Sequence, residues 1–185
     1  MIRAVLLAGD CRGGGGRPNA LSSWGQTTVI GHLLDTLSMT RAAGTVIVAG
    51  EDAWSIRKRV EGRGVEVVAN ARWRLGCLSY VKCGLRALPE GTSGALLMSL
   101  DQAAVPATVI DQLLDAYEEK GGEVVIPTFG GQRGWPVVFW VADFGRTLLA
   151  ACDGETVEQV IGQSGAPVVE VPVETRAVIM RLEGR

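Results

Sequence analysis

No lysine occurs before Lys58. A Walker-type phosphate loop, which needs GxxxxGK followed by Ser or Thr, is therefore excluded from the first strand and its loop. Histidine is represented by His32 alone, and Cys11, Cys77, Cys83 and Cys152 are scattered with no CxxC pair. That excludes a zinc site of ordinary ligand spacing, and it leaves no Ser/His/Asp or Cys/His grouping for covalent catalysis. No apolar run approaches the length that spans a bilayer, and no charged-then-apolar leader with a cleavage site opens the chain. The expectation is a cytoplasmic protein with no membrane contact, whose cysteines are structural in a reducing compartment. A net charge of −2 gives no global reason to bind nucleic acid. Internal repeats and low-complexity linkers are absent as well.

What remains is an ordinary apolar content of 47% in 185 residues, enough for one domain with a real core. Runs rich in Val, Ile and Leu recur at 4–7, 45–49, 65–69, 95–100, 123–126, 137–141 and 168–173. Segments of helical period lie at 27–42, 52–62, 78–88, 106–120 and 143–150. Strands alternating with helices predict βαβ units, a mainly parallel sheet and helices on both faces. The runs at 123–126 and 137–141 are close enough to pair as an antiparallel excursion, with Gly121–Gly122 and Gly130–Gly131 as turns. Ligands in such sheets bind at the carboxyl ends of the strands.

Four segments at such positions carry groups with chemistry. Ala4–Leu7 runs into the loop Gly9–Pro18, crowded with glycine and flanked by Arg12 and Arg17. Its backbone N–H groups would cradle a phosphate, or the loop is only flexible surface. From Gly14 a dinucleotide fingerprint fails, because Asn19 stands where its last glycine belongs. Asp101 ends the fourth run, as a Mg²⁺ ligand beside a triphosphate or as a turn cap. In the segment 68–88, Asn70 ends a strand, and Gly76, Ser79 and Gly84 open a helix toward a phosphate or base, or serve ordinary packing. In the segment 127–139, Arg133 offers a bidentate phosphate contact and Trp135 a stacking face; the alternative is a tight turn with a buried indole.

Taken in order, these segments resemble the MobA-like nucleotidyltransferases, and most closely the molybdenum-cofactor cytidylyltransferases. The family's LAAGxSxRMGxPKxLL is matched by Leu6-Leu7-Ala8-Gly9, Arg12, Gly16, Pro18, Ala20 and Leu21. Residues 22–37 are similar to its LPxxGxTVLxHVLxxL. Its GDQPxVxPxTIxxLLxAY is matched from Leu100-Asp101-Gln102 through Pro106 to Tyr117, and its GxRGHPVxF by 131–139. The resemblance implies a single-domain, Rossmann-like three-layer α/β sandwich of the nucleotide-diphospho-sugar transferase type. It implies an NTP, Mg²⁺, and transfer of a nucleotidyl group onto the phosphate of a molybdopterin-type pterin with release of pyrophosphate. A molybdoenzyme or its chaperone is the implied protein partner. Leu6-Leu7-Ala8-Gly9 is nearer the version of the loop associated with CTP than the one associated with GTP.

Carried over residue by residue, the resemblance assigns catalysis to Asp101, Arg12 and Arg17, with Asp101 also the metal ligand. Nucleotide contacts fall to Leu6, Leu7, Ala8, Gly9, Gly15, Gly16, Asn19, Asn70, Gly76 and Ser79. Acceptor contacts fall to Gln102, Arg133, Gly134, Trp135 and Pro136. The chain departs from the pattern where Asn19 replaces the loop lysine and Trp135 a histidine, and where the loop is one residue longer. A C-terminal DIDTPED is also missing, with Glu183 the acidic residue in its place. Two readings follow: an active nucleotidyltransferase, or a catalytically impaired relative that binds a nucleotide or a pterin.

Overall fold

The computed structural model describes residues 1–9, 19–121 and 124–181. Each apolar run forms a strand. Ile2–Ala8 (β1) is followed by a small hairpin of Ser23–Trp24 (β2) and Thr27–Thr28 (β3), then Val29–Ser38 (α1). Thr45–Ala49 (β4), Ala53–Arg59 (α2), Glu66–Ala69 (β5) and Cys77–Ala87 (α3) continue the alternation. Gly94–Ser99 (β6), a 3₁₀ turn at Leu100–Ala104 and Ala107–Lys120 (α4) come next. The rest of the chain gives Val124–Phe129 (β7), Gln132–Arg133 (β8), Val137–Trp140 (β9), Arg146–Ala150 (α5), Val157–Ser164 (α6) and Val168–Pro172 (β10), ending in a 3₁₀ turn at Arg176–Ile179.

The main sheet runs β10-β7-β9-β6-β1-β4-β5, with β8 attached to β7. β9 is antiparallel to both β6 and β7, which is the expected excursion, and the other neighbours along that path are parallel. Strand alternation sorts the core. Ala4, Leu6 and Ala8 join the cluster under α1, α2 and α4, whereas Val5 and Leu7 join the one under α3, α5 and α6. The result is the expected three-layer α/β/α sandwich. No helix among the described residues is long and apolar enough to cross a membrane.

Two expectations needed correction. The first helix begins at Val29 rather than at 27, because Thr27 and Thr28 pair with Trp24 and Ser23 and the Thr28 side chain caps the helix at Gly31 N–H. Residues 141–145 form a π turn before α5. The sequence reading also missed α6, although Thr156 and Gln159 form a capping box and Gly165 closes the helix in the left-handed region.

Helix α3 lies close on the sheet at Gly84, where an added Cβ would press into Val5 and come within 3.0 Å of a Val48 methyl. Gly84→Ala gains about 1 kcal/mol in helix propensity. Overpacking against two buried β-branched side chains costs about 1–3 kcal/mol. The variant should therefore unfold at lower denaturant concentration, and a raised midpoint would contradict this contact.

On the other face of α3, the Lys82 ammonium donates to the Ala151 carbonyl and to Asp153, both at 2.6 Å. The hydrogen bond from Lys82 holds the Asp153 carboxyl below its ordinary 3.8, with partial burial opposing and Lys82, Arg72 and Arg86 adding their charge. A lowered folded-state pKa contributes stability above the unfolded value, and that contribution is lost as pH falls through the folded one. Lys82→Met should accordingly flatten the acid side of the stability–pH curve.

Candidate functional site

Register alone assembles the site. Leu7 pairs with Ser99, so Gly9 and Asp101, each two residues further on, leave the sheet side by side. Ala8 pairs with Ala49 and Ala49 with Ala69, which puts Gly50 and Asn70 next along the same edge. On the other flank Leu97 pairs with Val137 in antiparallel sense, and Trp135 lies two residues before that strand begins. The carboxyl rim thus reads Asn70, Gly50, Gly9, Asp101, Trp135.

Asp101 is 8% exposed in the first turn after β6. The cap of that turn is Ser99, in a capping box with Gln102, so the turn does not need Asp101 as its cap. Gln102 is fully buried; its Oε1 accepts from the Ser99 N–H at 2.7 Å and from the Ser99 hydroxyl at 3.0 Å, and its Nε2 has no partner among the described residues. The expected acceptor contact at Gln102 is corrected accordingly: its carbonyl is spent on the turn, and only the orphan amide N–H₂ remains to offer.

The nucleotide-contact residues divide into three groups. Leu6 and Leu7 are wholly buried, their side chains in the two opposite core layers. Their side chains support the rim from below. Asn70, Gly76 and Ser79 do come together. The Asn70 amide donates to the Ser79 hydroxyl at 2.8 Å, and that hydroxyl donates to the Gly76 carbonyl at 2.7 Å. Asn70 Oδ1 accepts from the Arg72 N–H at 2.9 Å. This mesh fixes the start of α3, and Gly76 at φ +95° makes the turn possible. Asn19 Oδ1 accepts from the Leu21 N–H at 2.8 Å, an Asx turn that leads into the hairpin. Arg12, Gly15, Gly16, Arg17, Cys11 and Glu183 lie outside the described residues.

Tyr80 and Trp73 went unnoticed in the sequence. A Cβ at Gly9 would fall within the Tyr80 ring, and one at Gly50 would come within 2.5 Å of the Tyr80 hydroxyl and 3.0 Å of Trp73. Two glycines ending adjacent parallel strands were the signal that an aromatic lies across them.

The acceptor-contact segment is more enclosed than expected. Gly134 N–H donates to the Pro127 carbonyl and Trp135 N–H to the Val178 carbonyl, both at 2.8 Å. The Trp135–Pro136 bond is cis. Arg133 donates through Nε to Glu170 at 2.7 Å, which leaves its two terminal amino groups. Trp135 is only 6% exposed, and its indole N–H donates to Glu158 Oε1 at 2.7 Å. Of the two readings of Trp135, the buried indole is the one found, and it forms one wall of a cavity that Val178 and Ile179 also line. Glu158 had not been singled out in the sequence.

Among the described residues no group of three or more His, Cys, Asp or Glu could hold a metal ion. The described residues of this rim form no closed all-protein cage. Mg²⁺ does fit, because it takes one or two carboxylates and completes its shell with water and phosphate oxygens. Asp101 would be its carboxylate.

Comparison with known proteins shows the family and the fold. A family model of the MobA-like NTP transferase domain matches residues 4–168. No curated protein matches the chain. Among solved structures, Rv0371c of Mycobacterium tuberculosis H37Rv superposes with a TM-score of 0.83 at 22% identity, covering 99% of this chain and 93% of that one. A manganese complex of Rv0371c gives 0.76 at 25% identity, over 93% and 87%. A nucleotidyl transferase from Methanothermobacter gives 0.80 at 18% identity, over 97% and 91%. Molybdopterin-guanine dinucleotide biosynthesis protein A from Archaeoglobus fulgidus gives 0.68 at 18% identity, over 94% and 84%.

Proposed function

The chain belongs to the MobA-like NTP transferase domain family, and on that premise we propose that it moves CMP from CTP onto the phosphate of a molybdopterin-type acceptor, releasing pyrophosphate. The observation that carries this reading is the parallel pairing of β1 and β6 up to Leu7 and Ser99, with Gly9 and Asp101 each two residues beyond. In-line transfer of this kind asks the protein mainly to position two phosphates and neutralise charge. Asp101 holds Mg²⁺, which supplies charge neutralisation on the phosphate oxygens when bound. Gly9, Gly15 and Gly16 let the backbone approach the triphosphate, and Arg12 and Arg17 provide the cations that Asn19 does not. Ala8 and the Asn70–Gly76–Ser79 mesh border the nucleotide, while Arg133, Gly134, Trp135 and Pro136 border the acceptor. The preference for cytosine rests on Leu6-Leu7-Ala8-Gly9.

Asn19 favours the second reading, a relative that binds nucleotide or pterin with impaired turnover. Its side-chain oxygen is engaged in a local turn and brings no charge to the loop. Calorimetric titration with CTP, GTP and ATP, each with Mg²⁺ and with EDTA, separates the two. Mg²⁺-dependent CTP binding followed by pyrophosphate release on adding molybdopterin is the expected result. Nucleotide binding without release would favour the impaired relative. Binding of no nucleotide would overturn the transferase reading.

A further inference from the structure

Glu158 is an unusual residue to find touching a buried tryptophan. It sits in the first turn of α6, 23 residues after Trp135, and its Oε1 receives the indole N–H at 2.7 Å. The bond fixes the carboxylate in the wall of a cavity of about 190 Å³. Ile126, Val137 and Ile161 give that cavity apolar walls, and Arg133 and Arg181 also line it. Trp135 lies two residues before β9, which pairs with β6 at Val137 and Leu97. Arg133 keeps two terminal amino groups beyond its Nε bond to Glu170.

The size and the donor set together specify a ligand. The cavity is smaller than the roughly 300–1,000 Å³ of pockets that enclose a whole drug-sized ligand, so it suits one flat ring system. Its apolar walls favour a ring over a sugar. An ionised carboxylate only accepts hydrogen bonds, with two acceptor sites on each oxygen. With Oε1 partly engaged by the indole and Oε2 open, it matches a ring edge carrying two adjacent N–H donors. The arginines suit a phosphate on the same molecule.

We propose that Glu158, held in place by the Trp135 indole N–H, reads the amino-substituted pyrimidinone edge of a pterin and so sets acceptor specificity. The inference rests on the proposed transferase reading for the identity of the acceptor. Recognition then comes from the carboxylate, and Trp135 acts as a positioning residue rather than a stacking platform.

The probes are pterin and lumazine, pteridines of the same shape in which the amino group of the first is an oxo group in the second. Titrated against the full chain, pterin should bind about 10- to 100-fold more tightly, the weight of hydrogen bonds to a charged acceptor. Glu158→Gln keeps the side chain's size and should erase that preference. Trp135→Phe keeps a ring, removes the N–H and should lower the preference. Equal binding of the two pteridines by the wild type, no pterin binding, or undiminished discrimination in Glu158→Gln would each overturn the inference. A parallel CTP titration with Mg²⁺ keeps the two readings apart. If CTP binds and discrimination is absent, the role of Glu158 fails and the nucleotidyl site stands; if CTP does not bind, the transferase reading fails too.

Discussion

Replacing Asp101 by asparagine should lower pyrophosphate release by about 10²–10³-fold, the loss typical of removing one preorganised charge-stabilising group. The substitution conserves volume at a position that is 8% exposed, and the neighbouring turn keeps its Ser99–Gln102 capping box. Nucleotide binding should lose its dependence on Mg²⁺, because a neutral amide oxygen is a much weaker ligand for a hard cation than a carboxylate. The measurement is a pair of titrations, with Mg²⁺ and with EDTA, beside a turnover assay. Unchanged turnover in a folded variant would place the metal ligand elsewhere. Loss of fold would mean that Asp101 is structural despite the capping box beside it.

The rim was legible in the sequence because register is set by alternation. Once Ala4–Leu7 and 95–100 are read as neighbouring parallel strands, the loop glycines and Asp101 must emerge at one edge. The antiparallel excursion was legible for a similar reason, since short apolar runs around Gly130–Gly131 have little choice but to pair. What escaped depended on tertiary contact. The sequence left Trp135 open between a stacking face and a buried indole, because nothing local shows that Val178 accepts from its backbone and Glu158 from its indole. Leu6 and Leu7 belong to the motif, and strand alternation sends their side chains into opposite core layers. The same alternation, applied to the motif itself, would have separated the supporting residues from Gly9. Helix α6 was missed although its capping box is a local signal, because its apolar positions are few.

Gly134→Ala should be the most destabilising single-methyl change at the rim. Its Cβ would overlap the Val178 carbonyl, with the carbonyl carbon 2.8 Å and the Val178 Cβ 3.0 Å away. A side chain can rotate out of such a clash, but backbone cannot. The 176–179 turn would have to lift, and the hydrogen bond from Trp135 N–H to Val178, now 2.8 Å, would go with it. Overpacking of about 1–3 kcal/mol and a lost hydrogen bond of about 1 kcal/mol together predict roughly 2–4 kcal/mol. For a domain of this size that is a fall of about 5–15 °C in Tm. Gly130→Ala is the control. At φ +57° with nothing within 4 Å, it carries only left-handed backbone strain, about 1–2 kcal/mol. Equal losses in the two variants would mean that the contact with Val178 is not what requires glycine at 134. Lifting the turn would also remove Val178 and Ile179 from the cavity wall. Pterin affinity should then fall in Gly134→Ala and hold in Gly130→Ala, while CTP affinity, which depends on the β1–β6 rim, should hold in both.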